Sequence, residues 1–536
     1  MASKITAAGV KTLLSEAGEL ALIDVRELGQ FGEAHPFFAV PLAYSRFELG
    51  LPSLVPNPQV RLILCDADDG VADRAAARAE ALGYDNVAVL AGGVAAWKSA
   101  GYTLYAGVNV PSKTFGELVE QERHTPRLSA REVASMREAG ANVVIVDGRP
   151  FAEYGKMNIP GGICCPNGEL ALHIHDIAPD PTTTIIVNCA GRTRSIVGAQ
   201  LLIDFGIANP VYALENGTQG WILAGLRLEH GADRRHGAQL RTAEIDSLRA
   251  RARQQAQAHN VAFLEASEAA AWLAQPSRTT YLLDVRSPEE FAAGPVPGFL
   301  NAPGGQLLQA TDQWVGVKGA RLVLIDEEAV RAPVIAAWLR QLGHEAAVIE
   351  GGTAAARRLN WARWAGFGMI ARPPPALSAF EAAEALRRGT LDLIDLRPSM
   401  RYRQGHIAAA SWSIRPRIAA AVRDQTKTIG IVAEDPGIAA LAAIDLGEAG
   451  CRDLRLLAAE PGTWSAAGLP VMASPGEPAD DAAIDFLFFT AKRHDGGAAA
   501  AEAARQYLAW EIGLIGQLDP QERGAFRIPT GARMPA

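Results

Sequence analysis

The amino-acid sequence predicts an α/β fold made of four tandem domains, each a parallel sheet flanked by helices, and a C-terminal helical tail. Its 536 residues give room for roughly three to five domains of ordinary size. A short apolar run that ends in Asp-x-Arg occurs four times at domain-sized intervals, at residues 22–26, 145–149, 282–286 and 393–397. Short apolar strands alternate with helical stretches after each run. This alternation favours parallel strands joined by crossover helices.

Each copy continues with the same series of elements. An aromatic residue lies five positions after the arginine, and then come a second apolar strand, a helical stretch rich in alanine and leucine, a third strand and a glycine turn. The aromatic residues are Phe31, Tyr154, Phe291 and Tyr402, and the turns lie at 92–93, 216–217, 351–352 and 461–462. Three turns are followed by a tryptophan: Trp97, Trp221 and Trp464. The shared order predicts one architecture for all four copies.

The boundaries of the copies follow from changes in composition. We expect domains at 1–107, 127–231, 260–372 and 376–474, and the helical tail at 475–536. Residues 113–126 are predicted to be a linker, and the polar, basic stretch 234–259 a solvated connector. Three consecutive prolines at 373–375 end the third copy, because proline stops a helix.

The tail is predicted to contain two helices, at 481–493 and 498–517. Residues 486–489 read Phe-Leu-Phe-Phe, which is too apolar to lie exposed. We therefore expect the tail to pack on the four copies or on a second subunit. Membrane association is the alternative, although the helices carry no basic face.

Composition excludes several classes of partner and site. The chain is 49% hydrophobic and 21% charged, with a net charge of −8 and a pI near 5.8. This balance argues against nucleic acid or an anionic membrane as the main partner. The start of the sequence lacks the apolar stretch of a signal peptide. The five cysteines are an odd number and few for this length, which argues against a disulfide framework. We expect a cytoplasmic protein.

One cysteine has the surroundings of a reactive thiolate. Cys189 ends an apolar run and begins the segment Cys-Ala-Gly-Arg-Thr-Arg-Ser, and a helical stretch follows. Such a loop turns its backbone N–H groups inward, and the helix adds its positive N-terminal end. Arg192 and Arg194 add positive charge, so we expect this thiol to ionise more readily than a free cysteine.

The combined pattern resembles the rhodanese (sulfurtransferase) domain. The features that carry the resemblance are the Asp-x-Arg strand end, the cysteine loop, the Ile-Pro-Gly-Gly segment at 159–162 (compare 405–407) and the Leu-x-Gly-Gly…Trp element at 90–97. Each motif is weak alone, but four copies in one order are specific. The resemblance covers about residues 5–475 and implies a four-domain sulfurtransferase of the thiosulfate-using type.

The resemblance implies sulfur transfer through a covalent intermediate. The Cys189 thiolate attacks the outer sulfur of a donor such as thiosulfate, and the cysteine persulfide then passes this sulfur to an acceptor such as cyanide or a thiol. Cys189 is the catalytic residue, and the substrate and persulfide are bound by the loop residues Ala190, Gly191, Arg192, Thr193, Arg194 and Ser195. Arg192 and Arg194 are expected to bind the oxyanion end of the donor. No cofactor is implied.

Three alternatives stay open at this point. A related phosphatase would place five residues between cysteine and arginine, whereas only four separate Cys189 from Arg194, which makes a cradle sized for sulfur. A mercaptopyruvate-using enzyme typically has a less basic loop. A scaffold would dock an acceptor protein on the other copies, with Cys189 only relaying sulfur. The partners are otherwise small molecules, and a homo-oligomer is left open.

Three copies carry an acid where the nucleophile would lie, and we predict that they are inactive. The acids are Asp66, Asp326 and Glu434. We prefer the interpretation in which they cap the next helix. In the alternative interpretation, the carboxylate fills the anion cradle that a missing persulfide leaves. Cys65 is out of register by one residue and is expected to be a buried strand residue.

The remaining candidates have structural interpretations. Asp147 and Arg149, with Glu153 four residues on, more often make a structural ion pair near the site than steer a substrate. Cys164 and Cys165 are predicted to be core residues, with a resolving role for the persulfide as the alternative. Cys451 has nothing reactive near it. His173 and His175 are two positions apart, which puts them on different sides of a helix, so we predict no metal site.

Overall fold

A computed structural model of the chain describes residues 2–237, 244–359, 372–491 and 497–529, without the side chains of 497 and 498. Its internal contacts form two compact units. One unit holds the first and fourth copies and the segment that leads to Phe489. The other holds the second and third copies and the C-terminal residues from Thr490 onward.

The first three copies each contain a five-stranded parallel sheet with one strand order. When the strands of a copy are counted 1 to 5 along the chain, their order across the sheet is 1-5-4-2-3. The strands are Ser3–Ile5, Leu20–Asp24, Val40–Pro41, Arg61–Cys65 and Val87–Leu90; Arg127–Leu128, Val143–Asp147, Ile163–Cys164, Thr184–Asn188 and Val211–Leu214; and Ala262–Leu264, Thr280–Asp284, Leu300–Asn301, Arg321–Ile325 and Glu345–Ile349. All pairings within these sheets are parallel, which confirms the predicted fold class.

The fourth copy keeps a reduced version of this sheet. Its four parallel strands lie in the order Ala410–Trp412, Leu391–Asp395, Thr428–Ala433 and Leu454–Ala458. The edge strand of the other copies is reduced to one bridge, between Ala376 and Leu456. A separate antiparallel pair joins His406–Ile407 to Val471–Met472. All four sheets lie inside the predicted domain boundaries, although the predicted end of the third domain falls partly outside the described residues.

Helices cover the sheets, so the central strands are almost continuously apolar. In the first two copies they are Ala7–Ser15, Leu28–Glu33, Phe47–Leu54, Val71–Ala81 and Gly93–Ser99, and Ala130–Glu138, Phe151–Lys156, Leu170–Ile177, Thr193–Asp204 and Gly217–Leu223. In the last two they are Ala266–Leu273, Pro288–Ala293, Gly304–Gln309, Arg331–Gln341 and Gly352–Ala356, and Ala379–Arg387, Ser399–Gln404, Ile418–Ala421, Pro436–Glu448 and Pro461–Ala466.

The repeated Asp-x-Arg motif forms the same buried ion pair in every copy. In the second copy, Arg149 Nε donates to Asp147 Oδ1 at 2.8 Å and Arg149 Nη2 donates to Oδ2 at 2.7 Å. The guanidinium also donates to the carbonyl of Met157, eight residues further on. The corresponding pairs are Asp24–Arg26, Asp284–Arg286 and Asp395–Arg397. The motif therefore ties the end of the central strand to the end of the helix that follows.

The glycine turn explains a second part of the repeat. Gly217 has a φ of +54°, and a Cβ at this position would lie 2.8 Å from the carbonyl oxygen of Gly191 and closer still to that of Cys189. Gly93 and Gly352 have the same positive φ and approach the carbonyl groups of Asp66 and Asp326 in the same way. Glycine is required because it alone combines this backbone conformation with the close approach.

Two predicted connecting segments are structured. The predicted linker 113–126 forms most of the helix Val110–Arg123, here called the linking helix. Its residues Phe115, Leu118 and Val119 are buried, so it belongs to the core rather than to solvent. Within the predicted connector 234–259, residues 245–258 form a helix with one face buried, so this part of the connector is not simply solvated. Residues 238–243 of the connector lie outside the described residues.

The tail differs from its prediction at one end. Within the described part of the predicted helix, residues 481–491, only Phe488–Ala491 is helical. The Ile484 carbonyl accepts the Gly29 N–H at 2.9 Å. Residues 492–496 lie outside the described residues. The predicted second helix is present as Gly497–Gly513, here called the tail helix, and Pro520–Arg523 follows it. The tail packs on the copies as predicted: the tail helix contacts the helix Gly217–Leu223 of the second copy, and the Arg527 N–H donates to the Gln341 carbonyl of the third copy at 2.8 Å. It also contacts the linking helix, where Arg523 pairs with Glu122 and Phe526 stacks on Phe115.

Candidate active site

Cys189 lies directly after the strand Thr184–Asn188 and is 2% exposed. Its Sγ accepts a hydrogen bond from Ser195 Oγ at 3.1 Å. Ser195 is fully buried in the first turn of the helix Thr193–Asp204, here called the loop helix. The helix N-terminus and this hydroxyl both favour a negative charge on the sulfur.

The loop between Cys189 and the loop helix is held by its carbonyl groups. Thr218 N–H donates to the Cys189 carbonyl at 2.8 Å, and Gln219 N–H donates to the Ala190 carbonyl at 3.2 Å. Because N–H and C=O point in opposite directions across a trans peptide, the N–H groups of Ala190 and Gly191 face away from these contacts. Among the described residues, neither of these N–H groups has a hydrogen-bond partner. The loop therefore presents free donors of the kind that binds an anion.

Arg194 is paired with Glu153. Its Nη1 and Nη2 donate to the two carboxylate oxygens at 2.9 and 2.8 Å, and Nη1 lies 3.4 Å from Gln306 Oε1 in the third copy. Burial opposes the charge on Arg194, but Glu153 outweighs it, and the Cys189 sulfur adds to an Arg194 pKa above the ordinary value. Burial likewise opposes the Glu153 charge, yet Arg194 holds the pKa of Glu153 below its usual range. Glu153 thus belongs to the cysteine loop rather than to the Asp147–Arg149 pair.

Arg192 is held by two carboxylates of the linking helix. Its Nε and Nη2 donate to Glu117 at 2.7 and 2.8 Å, and Nη2 also bonds to Glu120. Its Nη1 lies 3.3 Å from Asn216 Oδ1. Arg192 is 5% exposed and Glu117 is 4% exposed. The guanidinium charge is therefore compensated inside the protein, whereas the sequence predicted that it would bind a donor.

Asn167 and Asn188 connect the cysteine loop and the loop helix to neighbouring residues of the second copy. Asn188 Nδ2 donates to Asp147 Oδ2 at 2.7 Å, and Asn167 Nδ2 donates to the Arg194 carbonyl at 2.9 Å. A Cβ at Gly148 would collide with Asn167. The Asp147–Arg149 pair is thus connected to the cysteine loop through Asn188, although its own contacts are those of a strand end.

Sequence analysis missed three acidic residues of the site. Glu117 and Glu120 lie on the predicted linker, and Glu511 lies in the tail, where it accepts a hydrogen bond from Thr193 Oγ1 at 2.8 Å. The apolar spacing of Phe115, Leu118 and Val119 was a signal for the linking helix. No sequence signal connects Glu511 to a loop more than 300 positions away.

The acids of the other copies fall into two classes. Asp66 accepts the N–H groups of Asp68 and Ala72, each at 2.9 Å. Asp326 accepts those of Val330 and Arg331 at 3.0 and 2.9 Å. Each carboxylate accepts an N–H group at the start of the next helix and fills the loop where a persulfide would lie. The same contacts therefore fit both interpretations made from the sequence.

In the fourth copy the acid at the predicted nucleophile position does not lie in a loop cradle. Glu434 is exposed and faces Arg401, with its Oε1 3.6 Å from Arg401 Nε. The neighbouring Asp435 caps the following helix by accepting the Gly437 N–H at 2.8 Å.

The other thiols are buried and held in the neutral form. Burial raises the pKa of Cys164 to about 12, and burial also raises the pKa values of Cys65, Cys165 and Cys451. Cys164 Sγ lies 3.5 Å from the Arg149 carbonyl. These surroundings favour the core role of Cys164 and Cys165 over a resolving role.

His173 has neighbours that sequence spacing did not predict. Its ring stacks on His236 at 4.0 Å, and Glu169 lies close enough for the three side chains to form a metal-ligand group in geometry. Arg331 donates to both Glu169 oxygens, at 3.2 and 3.0 Å, and so places a cation beside this group. His175 is not a member of the group.

Within the part of the chain that the structure describes, none of the helices has the length and apolar character of a membrane span.

Three of the four copies match the model of a known protein family. The model of the rhodanese-like domain matches residues 6–100, 129–224 and 265–358. The crystal structure of a thiosulfate sulfurtransferase from Pseudomonas aeruginosa is 40% identical, with a TM-score of 0.88, and the match covers 98% of this chain and 99% of that one. This likeness extends to the tail as well as to the four copies.

Two shorter proteins match only part of the chain. The HTH-type transcriptional regulator Rv0324 of Mycobacterium tuberculosis is 34% identical over 110 residues, which are 20% of this chain. The chain spans about half the length (47%) of that relative. The BH2092 protein from Bacillus halodurans is 18% identical with a TM-score of 0.19, and the match covers 24% of this chain and 93% of that one.

Proposed function

The chain belongs to the family of proteins built from rhodanese-like domains, and on this premise we propose that it is a thiosulfate sulfurtransferase in which Cys189 carries the sulfur. One observation carries the proposal: the Cys189 sulfur lies at the N-terminus of the loop helix, beside the Ser195 hydroxyl and a loop with free N–H groups. The similarity to the Pseudomonas aeruginosa enzyme along nearly the whole chain supports it.

The chemistry has two balanced steps. The Cys189 thiolate attacks the outer sulfur of thiosulfate, a new S–S bond forms, and the old one breaks as sulfite leaves with the electron pair. The acceptor then attacks the outer sulfur of the cysteine persulfide; cyanide becomes thiocyanate, and the Cys189 thiolate is restored. No net redox change or cofactor is needed, and the scheme is covalent catalysis in two easier steps.

The two arginines have different roles in this proposal. Arg194 interacts electrostatically with the Cys189 sulfur while Glu153 holds it, so it supports the thiolate and the persulfide. Arg192 is fully paired by Glu117 and Glu120, so it fixes the loop instead of binding the donor. The anionic sulfur is bound mainly by the backbone N–H groups, which are preorganised and need no reorganisation during transfer.

The three copies without a cysteine at the nucleophile position are proposed to be inactive. In the first and third copies a carboxylate accepts the loop N–H groups that an anionic sulfur would need. The third copy still contributes to the site, since Gln306 contacts Arg194 and residues 304–305 pack closely on Gly168. This arrangement favours an enzyme with one active copy over a pure docking scaffold.

The test is the intact mass of the reduced protein before and after thiosulfate. We expect the wild type to gain one sulfur atom, Cys189→Ala to gain none, and Cys451→Ala, the matched control at a buried thiol, to gain one. No gain in the wild type, or a gain in Cys189→Ala, would contradict the proposal. A gain with mercaptopyruvate instead of thiosulfate would identify the other donor class.

A further inference from the structure

The tail helix lies against the cysteine loop. It packs on both the linking helix and the helix Gly217–Leu223. Its Glu511 is 1% exposed, and one carboxylate oxygen, Oε1, accepts the hydrogen bond from Thr193 Oγ1 at 2.8 Å. Thr193 is the first residue of the loop helix. A residue outside the rhodanese-like copies thus touches the element that supports the reactive sulfur.

Lys113 of the linking helix connects to the same carboxylate. Its Nζ lies 3.3 Å from Glu511 Oε1 and bonds to the Tyr507 hydroxyl. It also lies over the rings of Tyr507 and Trp510, at 5.0 and 5.5 Å from their centres. Lys113 is 7% exposed. The charge of Glu511 is therefore balanced by one buried cation within the tail and the linking helix.

The second oxygen of Glu511 points at the loop and has no partner among the described residues. Oε2 lies 3.2 Å from the position of a Cβ on Gly191, and Gln219 Nε2 lies 3.5 Å from the same position. The side-chain amide of Gln219 also lacks a partner in the described part of the chain. The unpaired carboxylate oxygen of Glu511 and the unpaired Gln219 amide therefore both lie next to the backbone of Gly191 in the cysteine loop.

The charges around the cysteine loop come from the loop itself and from four helices. Arg192 and Arg194 lie on the loop and the loop helix; Glu117, Glu120 and Lys113 lie on the linking helix; Glu153 lies on the helix Phe151–Lys156; Glu511 lies on the tail helix. Four carboxylates thus face three cations. Removing the negative charge of Glu511 would leave three carboxylates and three cations in this set.

We propose that Glu511 is a positioning residue for sulfur transfer, which fixes the first turn of the loop helix through Thr193 and sets the charge that an anion meets at Cys189. The inference rests on the proposed function and deepens it, because it makes the tail helix part of the active site. Glu511 acts through Thr193 and Lys113.

The test compares two alkylating reagents of different charge on the full chain. Iodoacetate is an anion and iodoacetamide is neutral, and mass spectrometry of the Cys189 peptide gives the rate for each. We expect Glu511→Gln to raise the ratio of the iodoacetate rate to the iodoacetamide rate by about threefold, since one negative charge near the sulfur is removed. Glu502→Gln, the same change at an exposed position of the same helix, should leave the ratio unchanged.

The positioning role has its own readout. With thiosulfate and cyanide, Glu511→Ala and Thr193→Val should each lower kcat by about tenfold, which is the loss of one buried hydrogen bond, and Thr193→Ser should restore it. If Glu511→Ala fails to fold, the comparison of kcat between Thr193→Val and Thr193→Ser tests the positioning role. The inference is overturned if the reagent ratio in Glu511→Gln equals that in Glu502→Gln, or if Thr193→Val keeps the wild-type kcat. Alkylation needs no thiosulfate, so failure of the donor assignment is detected separately.

Discussion

Ser195 Oγ lies 3.1 Å from Cys189 Sγ and donates a hydrogen bond to it across the first turn of the loop helix. Both residues are buried, so water competes little with this bond. A hydrogen bond to a charged partner contributes about 1.5–3 kcal/mol, roughly twice a neutral one. The pair places a side-chain hydroxyl donor directly on the reactive sulfur.

Ser195→Ala should therefore slow the formation of the cysteine persulfide. We expect a loss of about tenfold or more in the rate at which thiosulfate loads the enzyme, because the thiolate loses its side-chain donor. Stopped-flow or quenched mass measurement of loading gives the rate. Ser135→Ala, an exposed serine of the same copy, is the control. Equal loading rates in the wild type and Ser195→Ala would show that the hydroxyl does not assist the sulfur.

Arg192→Ala should destabilise the protein more than it weakens thiosulfate binding. Removing this guanidinium leaves Glu117 as an uncompensated buried carboxylate, whereas Glu120 keeps its pair with Arg127. Breaking a buried ion pair typically costs about 3–5 kcal/mol in the free energy of unfolding. Thermal unfolding and the KM for thiosulfate measure the two effects. Arg505→Ala, which breaks an exposed pair with Glu502, should leave the free energy of unfolding nearly unchanged. A large rise in KM without loss of stability would restore the donor-binding role.

Gly217→Ala should disrupt the cysteine loop. The added Cβ would overlap the carbonyl groups of Cys189 and Gly191, so the loop must shift or the turn must open. We expect at least a tenfold loss of activity, since small displacements of a reacting group are costly. Gly231→Ala is the matched control: its φ is also positive, at +72°, but a Cβ there meets nothing within 4 Å. Similar losses in both variants would assign the effect to backbone strain alone.

Acidification should reduce stability partly through His35. Burial lowers the pKa of His35 to about 3, while its Nδ1 bonds to the Phe31 carbonyl and its ring stacks on Phe31. The folded protein keeps this ring neutral below pH 6.5, whereas the unfolded chain takes up a proton. The contribution is thus fully present above pH 6.5 and is lost as the pH falls, by about 2–3 kcal/mol at pH 4.5.

The measurement is the free energy of unfolding as a function of pH in the wild type and His35→Gln. We expect the variant to lose less stability than the wild type between pH 6.5 and 4.5. His124→Gln, at an exposed histidine, should keep the wild-type slope. Identical slopes in His35→Gln and the wild type would mean that His35 is protonated in the folded protein over this range.

Local sequence patterns predicted the four copies, but they did not predict which residues outside the copies pack against the cysteine loop. Asp147 and Arg149 are two positions apart, and Cys189 and Arg194 are five positions apart; strand, turn and helix propensities decide such short spacings locally. Glu117 and Glu120 were assigned to a linker, because charged residues in a polar stretch are typical of one. The linking helix forms because its apolar face packs on the copies, and that face then brings both glutamates to Arg192.

Periodic apolar runs and a fixed order of motifs are local properties, so they were sufficient to predict the four-copy α/β organisation and the single cysteine loop. The side chains that compensate the loop charges are known only from the folded chain: Glu153 for Arg194, Glu117 and Glu120 for Arg192, and Glu511 for Lys113. These partners are separated by about 40 to 400 positions. Side-chain pairing over such distances depends on which faces bury each other, and no spacing along the chain encodes it.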